Sequence, residues 1–138
     1  MSARGKARRR ALDILFEADI RRMPALDVLA DQDQRQRGGG PVALNPYTVE
    51  LVTGVVENLE RIDELITTYS VDWSLDRMPP VDLNLLRIGA YEILWRQDIP
   101  DEVAVAEAVA MAKELSTDES GSFVNGLLAR LMAVRPSI

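Results

Sequence analysis

Apolar side chains recur every third or fourth residue along nearly the whole chain, and this period most constrains the fold. From Lys6 to Met23 the stripe Ala7, Ala11, Ile14, Leu15, Ala18 and Arg22 fits one helix face, apolar until its last member. Pro24 suits the first turn of a short second helix, with Leu26, Val28 and Leu29 as its apolar content. Residues 33–44, which include Gly38-Gly39-Gly40-Pro41, read as a flexible loop, because three glycines lose too much backbone entropy in a helix. Asn45-Pro46 is a cap followed by a proline at the first helical position. Tyr47, Leu51, Val55, Leu59, Ile62 and Ile66 then continue the period to about Tyr69, with room for a break or kink between Asn58 and Arg61. Residues 72–80 read as irregular, with one turn around Leu75 to Met78. Asp82 is expected to cap a helix running to about Arg96, and Asp101 to cap the next. Ser116 to Ser122 reads as a turn, and the last helix as running from about Gly121 to Val134 with Ser120 or Ser122 as its cap. No alternating strand pattern competes. Six or seven helices in 138 residues make an all-α protein, expected to be a single domain over 1–138.

Composition narrows the chemistry. Histidine and cysteine are both absent. That removes disulfides, thiolate nucleophiles, Cys/His zinc sites and a histidine base. No Walker-type loop, serine elbow or metal motif is present, so the expectation is a binding protein with no catalytic residue, cofactor or metal. No segment approaches the roughly 20 apolar residues of a membrane span. Asp13, Glu17 and Asp19 interrupt the stretch behind the basic N-terminus, so a signal peptide is not expected and the reading is a cytoplasmic protein.

The net charge of -6 argues against nucleic acid until it is divided along the chain. Arg4, Lys6, Arg8, Arg9 and Arg10 put five positive and no negative charges in the first ten residues. The other 128 residues hold 11 basic and 22 acidic side chains. Cations at a helix N-terminus oppose the macrodipole, and neighbouring like charges add strain. A phosphate relieves both, because cations and helix N-terminus then attract the same anion. The competing reading is a basic terminus that does nothing or pairs with the acidic body.

Two further stretches stand out. In Ser120-Gly121-Ser122-Phe123-Val124-Asn125-Gly126, an aromatic and an amide beside a helix N-terminus suit stacking on, and hydrogen bonding to, an unpaired base. The plain alternative makes Phe123 core and Asn125 solvated. Asp72 to Asp82 combines Trp73, a proline pair and alternating charge. It reads as an interhelix turn anchored by Trp73, or as a partner-contact surface.

Five segments in order resemble one family. They are Arg8-Arg9-Arg10-Ala11-Leu12-Asp13-Ile14-Leu15-Phe16; Tyr47 to Val55 with Glu50-Leu51-Val52 and Gly54; Leu86-Arg87-Ile88-Gly89-Ala90-Tyr91-Glu92-Ile93-Leu94; Val103 to Lys113 with Glu107-Ala108-Val109; and Phe123-Val124-Asn125-Gly126-Leu127-Leu128. Together they resemble the NusB family of transcription antitermination factors over nearly the whole chain. The resemblance implies two packed helical bundles and no catalytic residues. It implies binding of boxA, a single-stranded RNA element of nascent ribosomal-operon transcripts, together with the ribosomal protein NusE. It also implies assembly with other Nus factors on RNA polymerase and suppression of premature termination.

By position, the resemblance assigns RNA contacts to Arg4, Lys6, Arg8, Phe16, Ser122, Phe123 and Asn125, with Arg9 and Arg10 joining through phosphates. It assigns partner contacts to Asp76, Arg77 and Asp82. The chain departs from the family at Ser122 and Gly5, where a basic residue is common, so weak RNA binding without the partner is expected. Two alternatives stay open: an RNA-binding module of a ribosomal-RNA methyltransferase, and a homodimer whose basic head meets an acidic face of a second copy.

Overall fold

The computed structural model describes residues 2–38, 43–71 and 73–135. Among the described residues seven α-helices run α1 Ala3–Arg21, α2 Ala25–Gly38, α3 Pro46–Glu57, α4 Leu59–Tyr69, α5 Pro80–Trp95, α6 Asp101–Leu115 and α7 Asp118–Val134. A 3-10 turn, Leu75–Arg77, lies between α4 and α5. Among the described residues there is no strand, so the all-α expectation is met. The chain divides into two compact units, residues 1–57 and 58–138.

In the first unit α1, α2 and α3 pack on one another. Ser2 caps α1 by accepting the Gly5 N–H at 3.0 Å. Ala7, Ala11, Ile14, Leu15 and Ala18 form the buried stripe as expected, and Leu12 and Arg8 join it. The alanines keep α1 slim where α3 crosses it. There the Thr48 hydroxyl donates to the Ala7 carbonyl at 3.0 Å. Arg22 ends α1 in the left-handed conformation (φ 54°), and the Met23 N–H returns to the Ala18 carbonyl.

The loop expected over 33–44 is corrected at its start, since α2 continues through Gly38. Its last turns are polar all round, a pattern stable only when i,i+4 pairs support it. Arg35 pairs with Asp31, and the Arg37 Nε donates to Asp33 at 2.9 Å. Asp33 also accepts the Leu44 N–H at 3.2 Å, tying the segment before α3 back to α2. These bonds outweigh the single glycine that falls inside the helix. Residues 39–42 of the expected loop lie outside the described residues.

In the second unit α5 is surrounded, packing on α4, α6 and α7. Leu85, Leu86, Ile88, Ala90 and Ile93 are buried, and so are the polar Asn84 and Glu92. Gly89 lets α7 close in, because a Cβ there would stand 2.8 Å from the Leu128 Cδ1. Arg87 of α5 grips Asp63 of α4 with both arms of its guanidinium, each at 2.9 Å. The break near Asn58 falls where expected, between α3 and α4.

Three expected caps are corrected. Asp82 lies in the third position of α5, because prolines 79 and 80 fix the entry first and the helix starts at Pro80. Asp101 is already the first residue of α6, behind Pro100. Thr117, not Ser120 or Ser122, caps α7; its hydroxyl accepts the Ser120 N–H at 3.0 Å. No helix of the described residues is long and apolar enough to cross a membrane.

Candidate nucleic-acid interface

The basic head lies on the first turns of α1, and the helix sorts its cations by face. Arg4, Lys6 and Arg10 are exposed, and Arg9 is half-buried with Asp13 3.7 Å away. Arg10 donates to Gln32 of α2 at 2.9 Å, which holds its side chain along the surface. Phe16, further along the helix, is half-buried.

Arg8 corrects the expected list of phosphate contacts, since it is only 2% exposed. Arg4 and Arg8 stand four residues apart, on one face. Their guanidinium carbons lie 5.0 and 5.8 Å from the centre of the Tyr47 ring. Tyr47 is itself buried at the start of α3, so Arg8 serves as a packed cation on an aromatic face. One structural residue thus interrupts the row of cations that the sequence makes look uniform.

The second surface lies in the second unit. Because α7 begins at Asp118, its open N–H groups lie a full turn before Phe123, and Asp118 and Glu119 already occupy that first turn. The expected pairing of Phe123 with a free helix N-terminus is therefore corrected. Phe123 instead meets Trp73, ring centroids 4.9 Å apart and planes tilted by 54°. The Ser70 hydroxyl donates to the Trp73 carbonyl.

Beside this aromatic pair lies a cleft of about 580 Å³ lined by Val71, Trp73, Glu119, Ser122, Phe123, Gly126 and Arg130. Ser122 and Phe123 are brought together there, as expected. Asn125 is not: it is exposed on another face of α7 and lines a separate groove with Val105, Val109 and Ala129 of the same unit. Residues two apart on a helix diverge by roughly 200°.

Of the expected partner residues, Asp76 and Arg77 are exposed on the 3-10 turn. The Ser74 hydroxyl donates to Asp76 at 2.6 Å. That bond, helped by the backbone N–H of Asp76 and the Arg77 charge, holds the Asp76 carboxyl below its ordinary value. Asp82 is corrected as a contact residue: it is 0% exposed, and neither carboxylate oxygen has a hydrogen-bond partner among the described residues.

Sequence reasoning does not assign Trp73 and Arg130 to this site. A signal for Arg130 exists, since Glu119, Ser122, Phe123, Gly126 and Arg130 follow one helical stripe. Trp73 has none, because its meeting with Phe123 is tertiary.

Fold and surfaces define an all-α binding protein, with a cation-bearing helix in one unit and an aromatic cleft in the other. Comparison with known proteins makes the class specific. The description "NusB family" matches residues 5–133. A protein of Arthrobacter sp. (strain FB24) named "Transcription antitermination protein NusB" is 56% identical over 138 residues, covering 100% of this chain and 98% of that protein. The structure of NusB from T. maritima superposes with a TM-score of 0.80 at 34% identity, covering 96% of this chain and 92% of that one. The fold recurs, at 24% identity and a TM-score of 0.81, in a crystal structure of antitermination factors NusB and NusE in complex with double-stranded RNA, covering 95% of this chain and 96% of that one. The chain belongs to the NusB family, whose members are regulators of transcription and not enzymes.

Proposed function

We propose that this chain is a transcription antitermination factor that binds the single-stranded boxA element of nascent ribosomal-operon RNA jointly with NusE. The observation that carries the reading is the likeness to a protein named for antitermination over the full chain, at 56% identity. Support comes from the exposed Arg4, Lys6 and Arg10 on α1 and from the cleft that holds Ser122 and Phe123. In this reading those cations, with Arg9, neutralise phosphates; Phe16 and Phe123 present rings to bases; and Ser122 hydrogen-bonds the strand. Asn125 contacts RNA from its own face of α7. Asp76 and Arg77 meet NusE, for which the acidic remainder of the chain supplies a complementary field. The assembly acts in the cytoplasm on RNA polymerase with other Nus factors.

A titration of boxA RNA, a scrambled single strand and a duplex, each with and without NusE, tests the reading. The expected order is boxA with NusE tightest and boxA alone weaker, with scrambled strand and duplex weakest. Equal affinity for boxA and scrambled RNA in the presence of NusE overturns it.

A further inference from the structure

We infer that the cleft beside Trp73 and Phe123 is a pocket for one unpaired nucleobase, with Trp73 as a stacking residue in its own right. The inference rests on the RNA-binding reading above and adds residues that the family resemblance did not supply. The two rings already touch at 4.9 Å, so a base lies on their cleft side rather than between them. The cleft, about 580 Å³, falls within the roughly 300–1,000 Å³ typical of small-ligand sites.

Its charge suits a base better than a phosphate. Arg130 and Glu119 face the same space, so cation and anion offset one another. A base has donors for the carboxylate and acceptors for the guanidinium. A phosphate has only acceptors, and the exposed cations of α1 serve it better. The Arg130 side chain is held in position, because its Nε donates to the Tyr69 carbonyl at 2.9 Å and fixes the guanidinium beside the cleft.

Gly126 is the independent observation. It lies inside α7, where glycine is the least favourable residue after proline. Packing does not require it, because a Cβ at 126 would meet only the Arg130 Nη1, at an ordinary 3.5 Å. Gly89 and Gly121, by contrast, would each bring a Cβ to 2.8 Å or less from a neighbouring side chain. Gly126 lines the cleft, so its missing methyl leaves that wall bare beside Arg130.

The test is an abasic scan. Single abasic nucleotides are placed along a boxA oligonucleotide, and affinity is measured with wild type, Trp73→Ala and Gly126→Ala, with NusE present. In wild type one position should lose about five- to 150-fold on removal of its base. In Trp73→Ala that sensitivity should vanish while losses at other positions persist. Gly126→Ala, which helix propensity favours, should show the same selective loss with its melting temperature unchanged or raised. It decides the question if Trp73→Ala fails to fold. An abasic profile identical in wild type and Gly126→Ala overturns the pocket and leaves RNA binding standing. Failure of the wild type to bind any RNA overturns both.

Discussion

Replacing Arg8 by Ala separates a buried cation from a phosphate contact. The side chain is 2% exposed, and its guanidinium lies 5.8 Å from the Tyr47 ring centre. Truncation removes two buried methylenes beyond Cβ, at about 0.8 kcal/mol each. It also removes a desolvated cation–aromatic contact worth about 2 kcal/mol. The expected loss is roughly 3–4 kcal/mol of stability, or a fall of about 10 °C or more in melting temperature. Arg8→Lys keeps the charge but not the planar guanidinium and should lose an intermediate amount. The salt dependence of RNA binding should be unchanged in either variant that remains folded. Lys6→Ala should do the opposite: its melting temperature stays within about 2 °C of wild type, while the slope of log affinity against log salt flattens by about 0.7. Calorimetry and fluorescence anisotropy at several salt concentrations read both quantities. A stable Arg8→Ala protein with a flattened slope would refute the reasoning, because Arg8 would then reach phosphate after all.

Three further outcomes follow from the packing. Arg37 and, second, the Leu44 N–H hold the Asp33 carboxyl below its ordinary value of 3.8, so this support is complete above that value and is lost as pH falls through the lowered one. The Leu44 amide resonance should titrate with a midpoint below 3.8, and a midpoint at or above it contradicts the bond. Arg22→Gly should raise stability by up to about 1 kcal/mol in denaturant unfolding, because its φ of 54° suits glycine; a loss would show that the Arg22 side chain matters more than its backbone. Asp63→Ala removes both Asp63 bonds of the Arg87 guanidinium, only 12% exposed, and leaves it the Asn84 side chain; it should destabilise by about 2 kcal/mol, whereas a change below about 0.5 kcal/mol would place the pair among ordinary surface bridges.

Local chemistry made most of the helices legible. Proline at position 46, the weak helix residue Asn58 and the short irregular stretch before Pro80 all mark boundaries in the sequence itself, and the structure follows them. Elsewhere local signals compete, and the fold chooses between them. At α7, Ser120 and Ser122 are good caps, but Thr117 comes first and is followed by Asp118 and Glu119, which favour a helix N-terminus. At α2, the Asp31–Arg35 and Asp33–Arg37 pairs carry the helix through Gly38, against the local preference of glycine. The site was legible where a single helix builds it, as at Ser122 and Phe123. It was less so where burial decides: helical spacing puts Arg8 on one face with Ala11, Leu12 and Leu15, and Asp82 on one face with Leu85, Leu86 and Gly89. That these charged residues at the helix starts are enclosed depends on neighbours distant in sequence.

Transcription past a Rho-dependent terminator, with the protein, NusE and the other Nus factors present, tests the central claim most directly. The template is used with its boxA intact or scrambled. Readthrough should rise on adding this protein only with intact boxA, and Phe123→Ala should lower that gain. An equal gain on both templates, or none on either, would contradict antitermination through boxA RNA.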